Sequence, residues 1–69
     1  VTYKEILLSD KERAVLQCVA NGQSHVDIAL YLEISSSAVG NRLGKVFEKY
    51  GAYNAAHAVA EGFRRGELK

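Results

Sequence analysis

A chain of 69 residues is one small domain, with too little core to be stable without tight helix packing or a partner subunit. A net charge of +1 counts against nucleic-acid binding, since such domains are often far more basic, and a single cysteine excludes an internal disulfide. No apolar run approaches the ~20 residues needed to cross a bilayer, and no signal-peptide pattern is present. The lone Cys18, set among apolar residues, reads as a buried small hydrophobe in a reducing, cytoplasmic setting. The chain has no Met, initiator included, and so reads as a segment of a longer protein.

Residues 1–8 show no clear period and read as a linker whose apolar end, Ile6, Leu7 and Leu8, docks on the core. The domain proper is 9–69. Ser9 with Glu12 three residues on is a capping box, so helix 1 runs over about 10–20. Its stripe is Val15, Leu16, Cys18 and Val19, and Asn21-Gly22 ends it. Ser24 and Asp27 repeat the capping pattern for a short helix 2 over about 25–32, with Ile28, Ala29 and Leu32 inward. Glu33-Ile34 forms a turn, and Ser35 caps helix 3, about 36–49. At 100° per residue, Val39, Leu43, Val46, Phe47 and Tyr50 fall in one apolar stripe. Asn54 caps helix 4, about 55–65, where Ala56, Val59, Ala60 and Phe63 are spaced as a core face. No strand signal survives, so the fold class is all-α.

Helices 2 and 3 have the spacing of a helix-turn-helix, whose second helix enters a DNA groove. The outer face of helix 3 is slim: Ser36, Ser37, Gly40, Asn41 and Gly44, with Lys45 and Glu48 beside them. Two glycines inside a helix cost roughly 1 kcal/mol each against Ala, and close approach to a partner compensates for that. Asn41 suits adenine, Lys45 suits guanine or phosphate, and Ser35, Ser36, Ser37 and the helix N-terminus suit phosphate oxygens. Arg42, at the edge, either reaches a phosphate or braces helix 3 against helix 2 through Asp27 or Glu33. The outward pair Val26 and Leu30, with Tyr31 nearby, either packs on helix 4 or the linker, or meets another domain.

Ala55, Ala58 and Gly62 form a second, small-residue face on helix 4. It reads as a homodimer seam with Glu61 and Arg65 at its rim. His25 and His57 have no second ligand at metal spacing, so no metal or cofactor is expected. No nucleophile–base constellation exists, so the chain does not read as an enzyme.

The stretch L-S-D-K-E-R-A-V-L-Q-C-V-A-N-G-Q-S, then D-I-A, L-E-I-S, Val39 four residues after Ser35, and K-Y-G-A-Y-N followed by A-V-A, resembles the LuxR/GerE-type helix-turn-helix. The likeness runs from Leu8 to Leu68, through all four helices. Val26, Leu30 and Tyr31 are closer to the quorum-sensing branch than to the response-regulator branch. The resemblance implies a four-helix, C-terminal output domain of a bacterial transcription regulator. Its third helix would enter the major groove and its fourth would dimerise on an inverted repeat of double-stranded DNA. An N-terminal sensor or receiver domain would lie outside this chain. Glu12 and the Gly22 turn are family hallmarks. The departures are Gly40 for a usual Lys or Arg, Ala38 for Thr, Arg42 for His, and Ala55 for a frequent Arg. Two basic phosphate contacts are thereby missing, so the reading expects weak, dimer-dependent binding. Phosphate contacts would fall to Ser24, Ser36, Arg42, Lys45 and Lys49, with Lys11 and Arg13 as further candidates. The rival reading is a protein-interaction module that kept the fold and lost DNA binding.

Overall fold

In the computed structural model, which describes residues 7–69, four helices follow one another: α1 (Asp10–Ala20), α2 (His25–Leu32), α3 (Ser36–Tyr50) and α4 (Ala55–Arg64). No strand occurs among the described residues, and the fold is all-α as the periodicity predicts. The bounds differ from expectation by one residue at the ends of α3 and α4, where helices fray. The linker segment before Leu7 lies outside the described residues.

Each helix starts at a polar cap. The Ser9 hydroxyl accepts the Glu12 N–H at 3.2 Å, and the Glu12 carboxylate accepts the Ser9 N–H at 2.8 Å, which completes the capping box. Ser24 accepts from Asp27, Ser35 from Ala38, and Asn54 from His57, so every helix has one of its orphan donors satisfied. The turn between α2 and α3 closes at Glu33, the one described non-glycine residue in the left-handed region, with φ +58°. The Ile34 N–H there bonds back to the Ala29 carbonyl at 3.0 Å, which fixes the angle between the two helices.

Val15, Leu16, Ile28, Val39 and Val46 are fully buried and form the centre. Leu8, Cys18, Leu43 and Tyr50 close around them, with Phe47 and Leu32 packed at the edge. The stripes predicted on α1 and α3 are therefore the ones buried. Of the predicted docking end, Leu8 is buried and Leu7 is half exposed.

Helix α4 overturns the prediction. Its inward face is Ala58, Glu61 and Gly62, whereas Ala56, Ala60 and Phe63 are exposed and Val59 is half-buried. Gly62 is bare because the C-terminal Leu68 lies on it. A Cβ at residue 62 would stand 2.7 Å from Leu68 Cδ1 and 3.2 Å from Leu16 Cδ2. The buried Glu61 carboxylate is neutralised by Arg64 and Arg65, and the Arg65 guanidinium stacks 4.3 Å over the Tyr50 ring. A small residue and a compensated charge let α4 approach more closely than its bulkier apolar side would.

The last three residues complete the packing. Glu67 Oε2 accepts the Leu8 N–H at 3.0 Å, and Oε1 accepts the Tyr50 hydroxyl at 2.8 Å. Arg13 lies 3.6 Å from the same carboxylate. The Gln17 amide exchanges two hydrogen bonds with the Lys69 backbone. This clasp ties the entry to α1 to the end of α3. Burial, aided by the bond to Glu67, pushes the Tyr50 phenol far above its usual range, so it stays a donor.

Candidate nucleic-acid interface

The buried pair Ile28 and Ala29 sets α2 against α3 and leaves the other side of α3 to solvent. On that side Ser36, Ser37, Gly40, Asn41, Gly44 and Lys45 are all exposed. Ser35 is exposed too, but its hydroxyl is already engaged as the cap of α3, as Ser24 is for α2. The glycines carry most weight. A Cβ built on Gly40 or Gly44 meets nothing within 4 Å, and neither residue has positive φ. The fold therefore requires no glycine at either place, and the space they leave opens outward.

The cations sort into free and committed. Lys45 makes no ion pair among the described residues and projects from the slim face. Arg42 is half-buried and pairs with neither Asp27 nor Glu33, so the bracing alternative is not formed. Lys49, predicted as a phosphate contact, is instead bound to Glu12 at 2.7 Å, across the gap between α1 and α3. Arg13 is likewise taken up by Asp10, Glu67 and the Leu8 carbonyl. Lys11 is exposed on α1. Burial disfavours the charged form of Glu12, but the Lys49 ammonium and the Ser9 donors outweigh it and hold the carboxyl below its usual range. Glu12 thus caps α1 and anchors the last turn of α3 together.

The predicted dimer seam needs correction. Ala58, Glu61 and Gly62 are buried within the domain, and the Arg65 side chain is 7% exposed. They cannot meet a second copy; of the five, only Ala55 is exposed. The face open to a partner is the one predicted as core, Ala56, Val59, Ala60 and Phe63. Period and composition favoured the other face, because Ala56, Val59, Ala60 and Phe63 carry the apolar spacing, and the pairing that lets Glu61 be buried forms only in the fold. The missed residues are Glu67 and Leu68, whose burial carries no helical or strand period to announce it.

Val26, Leu30 and Tyr31 are 61%, 74% and 71% exposed, so they do not pack on helix 4; the linker before Leu7, the other partner named for them, lies outside the described residues. His57 Nδ1 accepts the Tyr53 N–H at 3.1 Å, and its ring stacks on Tyr53. Burial raises the Cys18 thiol above its ordinary range. Among the described residues no helix is long and apolar enough to cross a membrane.

Residues 7–61 match the model of the bacterial regulatory proteins of the luxR family. The chain is 35% identical to the transcriptional activator protein ExpR of Dickeya dadantii over 63 residues, which is 91% of this chain and 25% of that protein. It is 33% identical to the spore germination protein GerE of Bacillus subtilis, covering 91% of this chain and 85% of GerE. A solved structure of the transcription factor GerE superposes with a TM-score of 0.87 at 32% identity, over 90% of this chain and 92% of that one. The chain spans about a quarter of the length of the first curated relatives it matches.

Proposed function

The chain belongs to the luxR family of bacterial regulatory proteins, and from that premise we propose that it is a sequence-specific DNA-binding domain with α3 in the major groove. The observation that carries the reading is the outward face of α3. Its two glycines are not required by the fold, and the uncommitted Lys45 and Arg42 flank them. A backbone bared in this way fits the width of a major groove. Asn41 and Lys45 reach base edges, while Ser36, Ser37 and Arg42 hold phosphates around the α3 N-terminus. Ser24 places the start of α2 against the adjoining backbone. Two copies bind an inverted repeat and meet through Ala56, Val59, Ala60 and Phe63 of α4, the apolar face left exposed. The rest of a cytoplasmic regulator, with its sensor or receiver domain, completes the protein.

The test is a titration against a random-sequence duplex pool at two salt concentrations, with sequencing of the bound fraction. An enriched inverted repeat, bound with affinity that falls steeply with salt, is the expected result. A folded domain that retains no duplex even at low salt would reject the reading and favour the interaction module. The net charge of +1 and the commitment of Lys49 to Glu12 are what support that second reading.

A further inference from the structure

The outward side of α2 combines two features that a DNA-facing helix does not need. Val26, Leu30 and Tyr31 are its large apolar side chains left to solvent, each more than 60% exposed. At 100° per residue, Val26, Leu30, Asp27 and Tyr31 share an arc of about 140° opposite the buried Ile28 and Ala29. A groove between α1 and α2, lined by Ala14, Cys18, Asn21, Gln23, Tyr31 and Leu32, runs on from this strip. The charge here is of one sign. Between Arg13 and Arg42 the chain has no Lys or Arg, yet it carries Asp27 and Glu33, both exposed and neither in an ion pair among the described residues. Carboxylates at this position repel a phosphate backbone and attract cations.

We infer that the α2 face is a docking surface for one amphipathic helix of another protein, with an apolar strip flanked by Lys or Arg. Eight residues of α2 span about 12 Å, which suits a single helix laid across the α1–α2 groove and not a domain-sized interface. Val26 and Leu30 meet the apolar strip, Tyr31 closes over the groove, and Asp27 and Glu33 pair with the flanking cations. The surface lies on a different helix from Gly40, Asn41 and Lys45.

The test uses two designed helical peptides. Both have leucines at i, i+4 and i+7; one is flanked by lysines and its twin by glutamates. Each is titrated into the isotopically labelled chain and followed by amide resonances. The lysine peptide is expected to shift Val26, Leu30 and Tyr31. Leu30→Ser should weaken it about tenfold, and so should the Asp27→Asn/Glu33→Gln double variant, while the glutamate twin leaves these resonances unmoved. The double variant keeps the apolar strip and carries the test should Leu30→Ser lose helical content by circular dichroism. Equal response to both peptides, no response, or shifts confined to α3 or α4 would overturn the inference. So would duplex DNA shifting Leu30 and Tyr31, which lie away from the Ser24 end of α2, or dilution-sensitive self-association that Leu30→Ser abolishes.

Discussion

At the scale of single residues, the glycines of this chain divide by what surrounds them. Gly51 adopts φ +63° to end α3, a conformation that other residues reach only at a cost. Gly62 makes room for Leu68 and Leu16. Gly40 and Gly44 do neither, since both are helical and face open space. Gly40→Ala and Gly44→Ala should each stabilise the free domain by about 1 kcal/mol in chemical denaturation, because Ala is the better helix former. Both should weaken duplex binding in the same preparations. Stabilised variants with unchanged affinity would show that α3 does not approach a groove closely. Both glycines were legible in the sequence as an anomaly, because nothing in helix propensity explains them. The difference between them and Gly62 was not legible, because it depends on Leu68, which approaches from outside the helix.

At the scale of elements, the joints between helices rest on a few polar groups. Glu12 serves α1 through Ser9 and α3 through Lys49. The Lys49 side chain is 38% exposed, so solvent screens the pair. With the lost cap included, Glu12→Ala should cost about 1–2 kcal/mol. The native pKa of Glu12 is depressed below its ordinary 4.5. Its stabilisation is therefore complete above that value and is lost as the pH falls through the lower native one. In urea titrations across this range, the gap between wild type and Glu12→Gln should narrow on acidification; a gap constant with pH would detach the carboxylate charge from stability. The contact of α4 with the C-terminal strap gives a second test. Gly62→Ala should lose about 1–3 kcal/mol to overpacking, offset in part by propensity. Leu68→Ala should relieve it, so the double variant loses less than the sum of the singles. Additive losses would mean that Leu68 does not rest on Gly62.

For the molecule as a whole, the two ends of the described chain meet. Glu67 bonds Leu8 and Tyr50, and Gln17 holds Lys69, so the clasp lies across α1 and the end of α3. Removing residues 67–69 exposes the Leu68 site and strands the buried Tyr50 hydroxyl. The loss should be about 3 kcal/mol, a large share of what a small domain has. Thermal unfolding should show a much lower midpoint, whereas an unchanged one would make the clasp ornamental. The outward face of α4 bears on assembly. Phe63→Glu should leave the helical content intact, because Phe63 is 49% exposed, and should abolish two-copy binding on an inverted repeat. Sedimentation with duplex would follow it. A retained dimer would move the seam elsewhere.

The sequence by itself determined the four helices, their caps and their order. These depend on near neighbours: a side-chain oxygen three residues from an N–H, a stripe repeating every 3.6 positions, a glycine where the backbone turns left-handed. It also determined the inward stripes of α1 and α3, because on those helices one face is plainly apolar and the other plainly polar. Only the tertiary structure decided which face of α4 is buried, since both are small or apolar and its one acid, Glu61, is neutralised by arginines one turn on. It decided as well that Lys49 belongs to Glu12, 37 residues away, and that Glu67 and Leu68 close the core. Pairings at that distance follow from how whole helices pack, and no local spacing encodes them.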